Sequence, residues 1–210
     1  MKNLDAYAKS ARTYDKFIEP TMVKCRQVAL EMYPPRNNIS ILDVCCGPGG
    51  QLNIYRQSGA RLFGIDKSPA MLEVARRKLG DAAELSLQDA AHTTFADETF
   101  DLVTISMAIH EMPTAMRSAV LTECKRVLKK EGRLLVIDFS FGPYHFSRFF
   151  YMRIMRRFAE ISAGSEHHAH YRDFKARKGM DPLIIEAGLS VDKKVVLPTG
   201  LVALYLLMKG

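Results

Sequence analysis

The run Ile41-Leu42-Asp43-Val44-Cys45-Cys46-Gly47-Pro48-Gly49-Gly50 constrains the fold more than any other part of the chain. A short apolar strand ends in an acid, small residues follow, and a stretch able to start a helix comes next. A turn free of bulky side chains lets a flat ligand lie against the backbone, and an acid at that turn suits a ligand carrying positive charge. About 20 residues further on, Ile65-Asp66 ends a second strand with an acid that can take two hydrogen bonds from a ribose diol. The glycines do not fit the dinucleotide pattern G-x-G-x-x-G/A: Leu52 stands at its sixth place, and Pro48 removes an N–H that would face a pyrophosphate.

Around this turn, strand-like and helix-like segments alternate, which predicts a mostly parallel sheet covered on both faces. Residues from about Leu4 to Met32 read as one or two helices, stopped by Pro34-Pro35. The expected strands are Ile39–Val44, Arg61–Ile65, Glu84–Leu87, Phe100–Ser106, Arg133–Phe139, Ser190–Leu197 and Leu201–Met208. The expected helices include Gly50–Gln57 and Thr114–Leu128, the latter ended by Gly132. Ser68 reads as the N-cap of another, with Pro69 as its first residue and Gly80 as its close. Pro198-Thr199-Gly200 reads as a tight turn, so the last strand runs antiparallel. Between Ser140 and about Arg172 the alternation gives way to an aromatic and methionine-rich stretch mixed with arginines, read as an inserted helical lid over 140–175.

The 210 residues suit one domain, with residues 1–36 as an N-terminal helical cap. No apolar run reaches the ~18 residues of a membrane span. Met1-Lys2-Asn3-Leu4-Asp5 lacks the apolar stretch of a signal peptide, so a cytoplasmic location is expected. The four cysteines, Cys25, Cys45, Cys46 and Cys124, form neither a disulfide framework nor a C-x-x-C metal pattern. His167, His168 and His170 lack companion ligands, so no metal is expected. The net charge of +7 is unevenly spread: between Ser140 and Met180, Arg148, Arg153, Arg156, Arg157, Arg172, Lys175, Arg177 and Lys178 stand against Glu160, Glu166 and Asp173, a net +5. Such a patch suits an anionic substrate or peripheral contact with a membrane surface.

The glycine run resembles the first motif of the class I S-adenosylmethionine (SAM) methyltransferases, with Cys45 at a place usually held by glycine. Paired cysteines there are similar to the ubiquinone and menaquinone C-methyltransferases and the small-molecule enzymes near them. The resemblance continues through Phe63-Gly64-Ile65-Asp66-Lys67-Ser68-Pro69-Ala70-Met71-Leu72, Leu87-Gln88-Asp89-Ala90, and Phe100-Asp101-Leu102-Val103, and covers about Ile39 to Asp138. It implies a Rossmann-like α/β fold with a seven-stranded, mostly parallel sheet, and SAM as cofactor with S-adenosylhomocysteine as product. It also implies cofactor contacts at Asp43, Cys45, Gly47, Gly49, Asp66, Lys67, Met71, Asp89, Ala90 and Ser106. Among these, Asp66 would hold the ribose hydroxyls and Asp89 the adenine amino group. Tyr14-Asp15 resembles a Tyr-Asp pair found near the cofactor in this family.

Methyl transfer asks the protein to align two ligands and exclude water, with a base where the acceptor must lose a proton. His110 and Glu111 follow strand four, where ligands meet such a sheet, and with Tyr14 they are the candidate catalytic residues. The quinone enzymes carry Arg-Asn at the His110-Glu111 position. The aromatic lid suggests a small or medium, apolar or aromatic acceptor. A prenylated quinone, a lipid headgroup, or a non-catalytic SAM-binding role are the alternatives. The sequence Ser106-Met107-Ala108-Ile109 lacks the Asn/Asp-Pro-Pro-Tyr/Phe pattern of base-methylating enzymes, which argues against a nucleic-acid acceptor. A monomer or a homodimer is compatible with all of this.

Overall fold

The computed structural model describes Asp5 and residues 7–34, 36–141 and 165–210, with side chains from 168 onward in the last stretch. Most of the expected lid, 142–164, lies outside the described residues.

The strands are β1 (Ser40–Val44), β2 (Arg61–Asp66), β3 (Glu84–Leu87), β4 (Phe100–Ser106), β5 (Leu128–Phe139), β6 (Leu189–Val196) and β7 (Val202–Lys209). They form one sheet in the order β3-β2-β1-β4-β5-β7-β6. The first five pair in parallel, and β7 runs antiparallel to both β5 and β6. This is the Rossmann-like sheet and closing hairpin the sequence predicts.

Helices cover both faces because the strands are apolar on both. On one side Leu42, Val44, Val103 and Ile105 pack with Val120, Leu121, Cys124 and Val127 of α5 (Thr114–Val127). On the other, Ile41, Leu102, Leu135 and Ile137 meet Cys25, Ala29 and Met32 of α2 (Val23–Met32), and Leu72 and Leu79 of α4 (Pro69–Leu79). The short α1 (Ala11–Phe17) precedes α2, and a 3-10 turn over Glu19–Met22 joins them. The chain closes through α6 (Ser165–Ala176) and α7 (Met180–Glu186) ahead of β6.

The local signals around α4 hold as read. Ser68 Oγ accepts from the Met71 N–H at 3.1 Å, Pro69 opens the helix, and Gly80 caps it at φ 55°. Two expected boundaries move. The helix after the glycine turn, α3, covers only Gly50–Asn53. Beyond it the N–H groups of Tyr55, Arg56 and Ser58 bond three residues back rather than four, while Tyr55 is drawn fully into the core. Gly132 does not end α5 but lies within β5, which begins at Leu128. The register shifts between Phe100 and Leu102, and a Cβ on Gly132 would stand 2.8 Å from Leu128 Cδ1 and 3.1 Å from the Asp101 carbonyl. Glycine is favoured there, since any Cβ would push on Leu128 and the Asp101 carbonyl.

Candidate functional site

The carboxyl ends of β1, β2 and β4 open into a single pocket, as the topology of such sheets dictates. Asp43, Cys45, Gly47, Asp66, Lys67, Met71, Asp89, Ala90, Ser106, Tyr14 and Glu111 all line it. Of the sequence-derived candidates, Gly49 and His110 stand outside that lining.

Asp43 is 1% exposed, and its Oδ1 accepts from Thr104 Oγ1 at 2.6 Å. Burial dominates its titration and pushes the carboxyl up to about 7, against the downward pull of Thr104 and of Arg26. A buried acid with one hydroxyl partner among the described side chains is a poor structural element and a good receptor for a cationic ligand. The backbone then turns through Cys45 at φ 56°, Gly47 at φ 50° and Gly49 at φ 77°. For the non-glycine Cys45 this left-handed geometry costs about 1–2 kcal/mol. Burial raises both the Cys45 and Cys46 thiols well above their ordinary range, so neither is primed as a nucleophile. Gly49 presses against α4, where an added Cβ would come within 2.8 Å of Leu79 Cδ1.

Asp66 holds the turn together. Its Oδ2 accepts from the Gly47 N–H and its Oδ1 from the Ser68 N–H, each at 2.8 Å. Burial raises its pKa, with those two N–H donors pulling the other way. Each carboxylate oxygen has a second acceptor site, which leaves Asp66 able to take a diol without giving up the loop. Asp89 is exposed at the far wall, with Oδ1 accepting from the Ala91 N–H at 2.9 Å.

The opposite end of the pocket combines methionines with a polar chain. Met107, Met112 and Met116 line it with Tyr7 and Tyr14, whose rings meet edge to face. Tyr7 Oη donates to Glu111 Oε2 at 2.7 Å. Glu111 Oε1 lies 3.7 Å from His110 Nε2, and His110 Nδ1 lies 2.8 Å from Asp138 Oδ1. The His110 ring is buried behind the wall, edge-on to Phe139 and Tyr171. Its burial opposes protonation, but Asp138 and then Glu111 outweigh it and raise the pKa above the ordinary histidine value.

Sequence reasoning misses Tyr7, Glu19, Arg26, Gln51 and Asp138. For Asp138 the signal is present: a fully buried acid ends the apolar run Leu134-Leu135-Val136-Ile137, and such an acid needs a partner. Tyr7 sits in the turn ahead of α1, Glu19 on the 3-10 turn and Arg26 on α2; their approach to the pocket is tertiary, and no local pattern marks them. His168 is exposed on α6, and the carbonyl of His170 accepts from Arg117 Nη2 at 2.7 Å. Among the described residues no group of three or more His, Cys, Asp or Glu side chains is placed to hold a metal ion. No described helix is long and apolar enough to cross a membrane.

Residues 42–136 match the Methyltransferase domain family. A demethylmenaquinone methyltransferase of Thermotoga maritima is 32% identical over 117 residues, covering 55% of this chain and 50% of that protein. An uncharacterized methyltransferase of Synechocystis is 37% identical over 114 residues, 53% of this chain and 52% of that one. The chain thus spans about half the length of the curated relatives it matches. A SAM-dependent methyltransferase structure from Aquifex aeolicus superposes with a TM-score of 0.68 at 17% identity, covering 94% of this chain and 98% of that chain. The matched segment runs from β1 through most of β5 and holds the glycine turn and the three pocket aspartates, so residues 42–136 are similar to a methyltransferase domain and the chain shares the Rossmann-like fold of that Aquifex aeolicus structure.

Proposed function

We propose that the protein transfers a methyl group from SAM to an apolar or aromatic acceptor that gives up a proton, with a phenol or hydroquinone as the best chemical fit. The observation that carries this reading is the convergence of Asp43, Asp66 and Asp89 at one end of the pocket, with Glu111 among methionines and tyrosines at the other. The first end has the carboxylate acceptors for a sulfonium's charge, a ribose diol and an adenine amino group. The two buried or half-buried acids with raised pKa fit a ligand that brings its own positive charge and hydroxyl donors.

SAM, when bound, supplies an already activated methyl group, so the chain's own work is alignment, proton handling and exclusion of water. Met107, Met112 and Met116 give the acceptor end an adaptable apolar wall. Glu111 is the group positioned to take the acceptor's proton. Tyr7 fixes one of its oxygens, and the imidazole of His110 faces the other. Asp138 orients that imidazole from beneath, which makes His110 and Asp138 positioning residues rather than the base itself. Tyr14 packs on Tyr7 and closes the same wall. Relatives named as demethylmenaquinone methyltransferases support the hydroquinone class. His110-Glu111 in place of the Arg-Asn pair of the quinone enzymes weighs against a prenylated quinone itself.

The test is release of S-adenosylhomocysteine from SAM across a panel of phenols and short-chain hydroquinones. The wild type is expected to turn over at least one of them. Glu111→Gln is expected to lower kcat about 100-fold or more with KM little changed, the scale of a lost general base. SAM binding without turnover on any member would favour a non-catalytic SAM-binding role instead.

A further inference from the structure

The outer surface of the N-terminal cap has a pattern of charge and exposure that the roles above do not use. Between Ala8 and Gln27 every exposed charged residue is a cation: Lys9, Arg12, Lys16 and Lys24. The two acids of this stretch are both paired: Asp15 with Lys78 of α4, and Glu19, whose Oε1 accepts from Arg26 Nη2 at 2.6 Å. None of the four exposed cations has an acid within ion-pair distance among the described residues. Two large apolar side chains stand in the same stretch, Phe17 at 49% and Val23 at 50% exposed, and Lys16 Nζ lies 5.5 Å from the centroid of the Phe17 ring.

The fold sets these residues outside by committing the other faces of their helices. α1 directs Ala11, Tyr14 and Asp15 toward the body of the protein, which leaves Arg12, Lys16 and Phe17 on its outer side. α2 buries Cys25, Ala29 and Met32 against the sheet and leaves Val23 and Lys24 exposed at its start. A single exposed apolar side chain is ordinary. Two of them among four unopposed cations have the composition of a surface that lies at a membrane interface. A nucleic-acid backbone answers the cations alone and leaves Phe17 and Val23 in water. An anionic bilayer answers both, with headgroup phosphates for the cations and the acyl boundary for the apolar pair.

We propose that this outer strip of the N-terminal cap docks on an anionic bilayer surface, with Phe17 and Val23 entering the headgroup boundary and the four cations facing lipid phosphates. The same segment supplies Tyr7 and Tyr14 to the pocket wall, so docking sets the acceptor end of the pocket beside the interface, where an apolar acceptor concentrates. The proposal concerns the surface alone and stands or falls independently of the SAM reading.

The chain has no tryptophan, so a single one reports from wherever it is placed. Phe17→Trp and Ile185→Trp, the second at a 77% exposed position on α7, are each mixed with vesicles of phosphatidylcholine alone and with vesicles of equal parts phosphatidylglycerol and phosphatidylcholine. With the anionic vesicles, the emission of Phe17→Trp is expected to shift to the blue and to be quenched by brominated acyl chains, while that of Ile185→Trp does neither. In sedimentation the wild type is expected to bind anionic vesicles about tenfold or more tighter than neutral ones. Lys16→Ala combined with Lys24→Ala is expected to weaken anionic-vesicle binding about tenfold or more, on the scale of about fivefold per cation, with Tm unchanged because both side chains are exposed and unpaired. Failure of the wild type to bind anionic vesicles, or equal binding to both kinds, would overturn the proposal. So would a response of Ile185→Trp equal to or above that of Phe17→Trp, which would assign the contact to another face, or a double variant that binds as the wild type does. Retention of an RNA oligonucleotide without vesicle binding would mark the strip as a nucleic-acid surface and overturn it as well.

Discussion

Arg117→Ala is expected to destabilise the protein by about 3–5 kcal/mol, the range for truncating a large buried side chain that also carries several hydrogen bonds. The Arg117 side chain is completely buried. Its guanidinium donates to Asp173 Oδ2 at 2.7 Å, to the His170 carbonyl at 2.7 Å and to the Ile109 carbonyl at 3.2 Å, and lies 5.1 Å from the centroid of the Phe174 ring. The loss of the ion pair is the smaller part of the cost, because Asp173 is 41% exposed and regains water. Most of it comes from the guanidinium donors lost to the His170 and Ile109 carbonyls, of which Ile109 keeps the Met112 N–H at 3.2 Å, and from the void over Phe174. For a chain of this size the expected fall in Tm is about 6–20 °C, read by thermal or urea unfolding. Arg117→Lys keeps the charge but not the three-way fork, and is expected to recover less than half of the loss. The consequence reaches the site, because Arg117 ties α6 to the Ile109 turn that presents His110 and Glu111. Turnover is therefore expected to fall in Arg117→Lys even at temperatures where it stays folded.

The second large effect runs in opposite directions for stability and binding. Asp43→Asn is expected to stabilise the ligand-free protein and to weaken SAM binding. Burial holds the Asp43 carboxyl at about 7, above its ordinary carboxylate value, so between about pH 4 and pH 7 the folded state binds a proton that the unfolded state has lost. The wild type therefore loses stability as pH rises through that window and stays at the lower level above it. Asparagine retains an acceptor for Thr104 Oγ1 and carries no charge. The variant is expected to match the wild type near pH 4.5 and to exceed it by about 1–3 kcal/mol at pH 8. That difference corresponds to a rise of about 2–12 °C in Tm. SAM, with its sulfonium, is expected to lose about tenfold or more in affinity, and the uncharged thioether of S-adenosylhomocysteine less. Equal stability of variant and wild type at pH 8 would show that Asp43 is already neutralised by the fold and is no receptor for charge.

Much of the fold was legible because its signals are local. A buried parallel strand announces itself as the unbroken run Ile41-Leu42 ahead of Asp43. Ser68, Pro69 and Gly80 bracket α4 through capping chemistry that acts within a few residues, and Pro198-Thr199-Gly200 turns the last hairpin. The errors came where tertiary contact overrides local preference. The helix after Gly50 stops at Asn53, where Tyr55 is drawn into the core, and β5 starts at Leu128, where β4 pairs with it across a register shift opposite the closely packed Gly132. The cofactor end of the site follows the same logic, since Asp43 and Asp66 sit at strand ends that the alternation itself predicts. The acceptor end was only half legible. Glu111 was visible after β4, while Tyr7, Arg26 and Asp138 reach the site through contacts spanning far more of the chain than any local pattern.

The central claim is that the turn after β1 and the acid ending β2 hold SAM, and calorimetric titration of SAM into the wild type and Asp66→Ala tests it most directly. Asp66 loses nothing of the sheet when truncated, yet both of its oxygens organise the pocket. Measurable wild-type binding is expected, weakening tenfold or more in the variant, about 1.4 kcal/mol, the scale of a lost charged hydrogen bond. No wild-type binding up to millimolar SAM, or binding that Asp66→Ala leaves unchanged, would contradict it.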